Sequence, residues 1–458
     1  MLGYISLHKY PVRFLCWRGV MKMFNPDGLE LQGNTPPRDI LPRAPQTVKE
    51  TGLDFLFLVE LLCKTLFFHG QIRLVDLVNL TKLPLSVLEP LLAFMRSEQL
   101  CEVSGRNETE ATIAFTLTDV GRNRTQTYLQ KSHYAGPAPV TLQAYNDAVR
   151  RQSVANMKVT KELVAEGFKG FVLRQNTMNQ LGAAMNSGRA ILVYGPPGSG
   201  KTYVSEHLAT LLTGNCTIPY AVLVDSEVIQ LFDPLVHQPV ASSHSGSSLD
   251  KGPLHDARWI ECQRPVVITG GELTLSMLDL DFDENTRFYQ APPQVKANNG
   301  LLIIDDLGRQ LVSPQMLMNR WIVPLDRRVD YLALHTGTKF MVPFDVIVIF
   351  SSNIPPSTLA DEAFLRRLGY KIYIGKLEEE EYRAIFEQNC ARLGIPFSNE
   401  GLRFVIDELH GKHDKPLLAC IPRDLLEQVR DFAFYQGIKP ELNEELLTWA
   451  WENYYTKG

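Results

Sequence analysis

Eight residues from Gly195 to Thr202, GPPGSGKT, fit the spacing G-x-x-x-x-G-K-[ST]. A loop of this type wraps phosphate oxygens with backbone N–H groups, and its glycines permit the close approach. Lys201 is placed to hold β- and γ-phosphates and Thr202 to ligate Mg²⁺. Pro196, Pro197, Gly198, Ser199 and Gly200 complete the cradle. The apolar AILVY before the loop reads as a buried strand. The amphipathic run after it reads as a helix aiming its positive end at the anion.

Four further groups suit the same chemistry. The apolar stretch GLLIIDD ends in Asp305 and Asp306, at the carboxyl end of a strand, where α/β sheets bind ligands. Asp305 is expected to hold the Mg²⁺ complex and Asp306 to polarise the attacking water. VIVIFSSN ends in Asn353, whose amide can orient that water or the γ-phosphate. Arg366 and Arg367 follow thirteen and fourteen residues later and suit the γ-phosphate of a neighbouring subunit. In IPRDLLEQV, Arg423 opens a helix and is placed to reach back to the phosphates.

The elements that must position these groups alternate. AILVY, AVLVDS, GLLIIDD, VIVIFSSN and YKIYIG are read as strands of a parallel sheet covered on both faces. Leu377 to Tyr455 reads as a helical bundle. Between Thr202 and Asp305 lie a hairpin expected at WIECQRPVVITG and the Ser-rich loop Ala241–Pro253. VDYLAL and TKFMVPF, joined at His335 to Gly337, read as a second hairpin. Upstream, helices are expected at Leu53–Phe68, Ile72–Thr81 and Pro84–Leu100, then two β-prone runs flanking the polar tip RNETE, then a helix in DVGRNRTQTYLQKS. Two more helices, Val140–Ala155 and Val159–Gly167, lead into the core. The domain plan is an irregular arm (1–50), a helix-and-hairpin module (51–133), a linker with helices (134–172), an α/β core (173–376) and a helical lid (377–458).

The five chemical elements, in this order, resemble those of the AAA+ ATPases: phosphate loop, Walker B strand, sensor-1 asparagine, arginine-finger box and sensor-2 arginine. The resemblance covers roughly Phe171 to Tyr455. It implies an α/β P-loop fold with a helical lid, binding and hydrolysis of ATP with Mg²⁺, and a ring, often hexameric, that drives motion in a protein client. Two features depart from the pattern. Walker B ends Asp-Asp rather than Asp-Glu, so Asp306 is one methylene short, which motivates the alternative of a slow or non-hydrolysing, nucleotide-gated switch. The gap from Thr202 to Asp305 is also long. The hairpin before Asn353 is similar to the branch of MoxR-like chaperones, magnesium-chelatase subunits and enhancer-binding activators, although the GAFTGA loop of the activators is absent. Lys339 and His335 near its tip are candidates for a ring pore.

The module at 51–133 resembles a winged helix, which suggests DNA. Yet Ser86 to Leu100 carries Arg96 against Glu89 and Glu98, so protein contact is favoured over nucleic acid, and Arg106, Arg122 and Arg124 are what remains of the DNA reading. The chain has 458 residues, 45% hydrophobic and 21% charged, with net charge −5, ordinary for several globular domains without a global basic field. Seven scattered cysteines, with no C-x-x-C, read as reduced thiols, and no stretch suits a membrane span or a secretory signal. A cytoplasmic protein is expected. The first twenty residues read as a short arm or as sequence upstream of a start at Met21 or Met23.

Overall fold

Residues 41–105, 113–240 and 255–455 are described by the computed structural model. Most of the lead-in, Cys16, the RNETE tip with Arg106, and the Ser-rich loop lie outside these residues.

Five parallel strands make the core sheet, in the order Val266–Thr269, Leu301–Ile304, Ile347–Ser352, Ile191–Tyr194, Tyr370–Tyr373. The near-continuous apolar runs are needed because both faces are covered. Leu192, Leu302, Ile304, Val348 and Phe350 face Trp321 and Met318 of the helix Pro314–Arg327. Their neighbours Ile191, Val193, Leu301, Ile303, Ile347 and Ile349 face Leu181, Met185 and Val204 on helices Gln175–Ser187 and Lys201–His207. The fold class is therefore the expected α/β parallel core with a C-terminal helical lid.

One expected core strand lies in a different sheet. AVLVDS (Ala221–Val224) does not enter the core: it pairs antiparallel with Glu227–Gln230 and parallel with Val140–Thr141. The core strand in its place is Val266–Thr269, expected as one arm of a hairpin. Pro265 ends the strand Trp259–Gln263, which pairs with Asn215–Pro219 instead. Arg264 fixes the break by donating to the Thr213, Gln152 and Asn299 carbonyls. Both runs are short and apolar, and periodicity cannot tell which sheet takes which.

The second sheet has the order Asp281–Asp283, Phe288–Gln290, Glu227–Gln230, Ala221–Val224, Val140–Thr141. Its core takes in Leu332 and Val342 of the hairpin Val329–Ala333/Lys339–Pro343. His335 at that hairpin's turn stacks on Phe282, with centroids 4.3 Å apart, and bonds to Tyr289 Oη. The His335 ring is thus held against the second sheet, while Thr336, Gly337 and Lys339 are exposed. The segment expected as a linker contributes Val140–Thr141 to this sheet and the helix Leu142–Arg151 beside it, so the expected helix at Val140 begins two residues late.

The N-terminal module runs helix Phe55–His69, strand Ile72–Arg73, helices Leu74–Thr81 and Leu85–Ser97, strands Cys101–Gly105 and Ala114–Leu117, then helix Asp119–Leu129. The expected helix at Ile72 starts as a two-residue strand because Ile72 pairs with Phe115. The apolar core of the module continues into Ala221 and Val228 of the second sheet. At the other end of the chain, helices Glu379–Leu393, Cys420–Gln436 and Glu444–Tyr454 pack around Tyr382, Phe386, Leu425 and Trp451 to form the lid. Among the described residues, no single helix is long and apolar enough to cross a membrane.

Candidate functional site

The strand Ile191–Tyr194 lies between the two strands that end in Ser352 and Tyr373, so its loop emerges at a sheet position where connections diverge to both sides. Gly195 is required there. Its φ is +155°, and a Cβ would land on the Ile374 carbonyl of the neighbouring strand end. The helix Lys201–His207 follows directly, with Gly200 at φ +92° as its cap.

Lys201 is buried and donates from Nζ to the Pro196 carbonyl at 2.9 Å. Burial pulls its ammonium below the ordinary value, and the carboxylates of Asp305 and Asp306 pull back against that shift. The lysine thus closes its own loop within the field of the acidic pair. Thr202 Oγ1 donates to Asp305 Oδ2 at 2.8 Å across 103 residues of sequence. Asn353 Nδ2 donates to Asp306 Oδ1 at 3.0 Å. The metal-ligating pair and the water-positioning pair are thus each in contact.

Two buried polar atoms at this place have no partner: Asp305 Oδ1 and Ser199 Oγ. An orphaned buried acceptor costs about 1–3 kcal/mol unless a ligand satisfies it. A free carboxylate oxygen beside a threonine hydroxyl is an oxygen donor set that fits Mg²⁺. The residues present fit the expected cation.

Two residues here were missed by sequence reasoning. Gln310 is buried and accepts from Gly308 N–H at 2.9 Å. Its Nε2 donates to the Asp305 and Gly270 carbonyls at 3.0 and 3.2 Å. One amide therefore ties the acidic turn to the next strand. Arg309 Nη1 lies 4.0 Å from Asp306 Oδ2, an exposed pair. The available signal was only position, four and five residues past Asp305, and neither residue type is distinctive there.

The remaining expected residues lie elsewhere. Arg423 sits in the first turn of the lid helix Cys420–Gln436, whose Cys420 N–H donates to the Gly198 carbonyl at 3.1 Å. That bond docks the lid on the loop. The Arg423 guanidinium itself is held by Asp424 at 2.8 Å. Arg366 and Arg367 are beside Ala190, at the start of the strand whose far end carries the loop. The five steps from Ala190 to Gly195 span roughly 16 Å at a strand's rise. They do not join the acidic pair of their own chain, and Arg367 is bonded to Asp326 at 2.7 Å.

Residues 378–453 match a family model described as a domain of unknown function (DUF8689). A search of curated proteins gives no match. Among solved structures, the chain is similar to NtrX from Brucella abortus in complex with ADP, at 16% identity and TM-score 0.38, over 62% of this chain and 55% of that one. It is also similar to the Thermotoga maritima RuvB Holliday junction branch migration motor, at 14% identity and TM-score 0.34, over 66% of this chain and 73% of that one. The matched region spans little more than half of the NtrX chain. At these scores the likenesses add no argument about function, which rests on the geometry of the loop and its acidic neighbours.

Proposed function

We propose that this protein is an AAA+ ATPase that binds ATP with Mg²⁺, hydrolyses it in a cytoplasmic ring and uses the cycle to move a protein client. The observation that carries the reading is convergence. Thr202 meets Asp305 and Asn353 meets Asp306, four residues singled out separately in the sequence for holding the cation and positioning the water. The bound cation would supply charge neutralisation at the β- and γ-oxygens. Lys201 leaves the Pro196 carbonyl for the phosphates, the loop amides hold their oxygens, and Asp306 with Asn353 orients the attacking water and takes its proton. Arg366 and Arg367, on the far edge of the sheet, serve the nucleotide of an adjacent copy, and Arg423 reports lid angle to the phosphates.

Within this reading, the N-terminal module is a winged helix, supported by its helix–strand–helix–helix–strand–strand–helix order. It contacts protein rather than DNA: the exposed face of Leu85–Ser97 presents Leu85, Glu89, Pro90 and Ala93 with Arg96 as its cation. The hairpin preceding Asn353 supports a place in the MoxR-like branch.

A second reading is a slow nucleotide switch. Asp306 has one oxygen bonded to Asn353 and the other near Arg309, so each oxygen already faces a side-chain donor. Mg²⁺-dependent phosphate release separates the two. A ring ATPase loses about 10³-fold or more in turnover on Arg366→Ala/Arg367→Ala while nucleotide affinity holds. Turnover surviving that double change removes the trans-acting role, and release at background rate in the unmodified chain, with tight ATP binding, favours the switch.

A further inference from the structure

At the amino-terminal edge of the core sheet is an open recess of about 660 Å³. Three element ends build it: Ser187, Arg189 and Ala190 after helix Gln175–Ser187; Leu325, Asp326 and Arg328 at the end of helix Pro314–Arg327; and Ala363, Arg366 and Arg367 around helix Glu362–Leu365. Four guanidinium groups thus face a single carboxylate. That carboxylate is already committed, since Asp326 Oδ2 accepts from Arg367 Nε at 2.7 Å.

Among the described residues, Arg189, Arg328 and Arg366 form no ion pair with the recess's carboxylate, which Arg367 holds. Arg328 is half-buried and spends two N–H groups on the Val346 and Gly188 carbonyls, which fix its fork but leave its charge in place. Burial, and repulsion from Arg189, pull its pKa down, while Asp345 pulls it back up. Asp345 spends its oxygens on bonds to Ser153, Val154 and Asn299. The stem of Arg189 lies across Gly369, where an added Cβ would come within 2.6 Å of the Arg189 Cβ. A side chain at 369 would push it aside. Arg366 is exposed at the rim. Like charges gathered in a concave wall of this size, within the range of small-ligand sites, need an anion to offset their repulsion. Planar forks suit phosphate oxygens best.

We propose that this recess binds oligophosphate anions, with Arg189 and Arg328 acting together with Arg366. The phosphates come either from free ligand or from the nucleotide held by an adjacent copy, and only the second source rests on the ring reading above.

The test uses the full chain with Lys201→Ala, which removes the lysine of the loop, titrated calorimetrically with magnesium-free tripolyphosphate at low salt. Binding is expected, weakening about tenfold or more on adding Arg189→Glu or Arg366→Glu, and weakening with salt. Arg328 is left intact because its carbonyl bonds support the fold. Thermal unfolding of each variant confirms that it is folded. No binding, or equal binding after both charge reversals, overturns the proposal. Because the lysine is already absent, a failure of the loop to bind ATP leaves this result untouched. Where binding is present, mixing Lys201→Ala chains with Arg189→Glu chains identifies the source: restored phosphate release assigns the adjacent nucleotide, and none assigns the free anion.

Discussion

Asp306 sits at φ +49°, in the left-handed region that few side chains other than Asn, Asp and Gly adopt easily. An aspartate suits this backbone better than a glutamate. The turn from Asp305 to Gln310 closes tightly, with Leu307 N–H on the Ser351 carbonyl and Ser352 Oγ donating to the Leu307 carbonyl. A short carboxylate reaches Asn353 without straightening it. Asp306→Glu is therefore expected to lower turnover and to reduce stability by about 1 kcal/mol; a faster enzyme would show that side-chain length, not backbone, is limiting. Gln310→Leu removes three hydrogen bonds from the same turn. It should depress kcat well over tenfold while nucleotide affinity changes little, because Lys201 and the loop amides do not touch it. Lys201, Thr202, Asp305 and Asn353 were legible in the sequence because phosphate chemistry restricts residue type at fixed spacing. Gln310 was not, because an amide that braces backbone can lie anywhere in a turn.

The long apolar strands were legible, but their partners were not, and neither were the short strands Val140–Thr141, Glu227–Gln230 and Phe288–Gln290. Ala221–Val224 and Val266–Thr269 carry the same kind of short apolar run, and the choice between sheets was made by Pro265 and by Arg264 reaching three carbonyls. The lid was legible as helix, but its docking was not. Gly198 has φ +79°, and a Cβ there would sit 2.5 Å from Cys420 Sγ. Gly198→Ala should lift the lid helix from the loop and weaken nucleotide binding; unchanged affinity would mean the contact is incidental. His237 shows how burial sets a pH response. Asp233 N–H donates to Nδ1 and Nε2 is paired with the Lys296 carbonyl, an arrangement that needs the neutral ring. Burial lowers its pKa below 6.5, as it does for His207 and His410. The unfolded chain then takes up protons that the folded chain refuses. Stability should fall as pH drops from about 7 to 5.5, read as a declining denaturant midpoint, and a flat or rising midpoint would contradict this.

At the scale of the whole molecule, a buried ion pair adds to the apolar contacts that join the N-terminal module to the rest. Arg258, paired with Asp256 at 2.8 Å, donates to the carbonyls of Thr51, the module's first residue, and Pro139, a few residues after it. Tyr134 packs on Phe288 nearby, with centroids 5.4 Å apart. The module is clamped to the second sheet, and nothing in its own sequence announced that, since both acceptors are backbone. Arg258→Ala leaves Asp256 buried without its partner and should cost about 3–5 kcal/mol, seen as a lowered or split unfolding transition; an unchanged transition would mean that the apolar contacts suffice. Everything proposed about work on a client depends on the loop holding a triphosphate among these parts. Calorimetric titration of ATP with Mg²⁺ into the intact chain and into Lys201→Ala measures that directly. Saturable binding by the first, and at least about 100-fold weaker binding by the second, is the expected result. Equal affinities, or a folded intact chain that takes up no ATP, would contradict it.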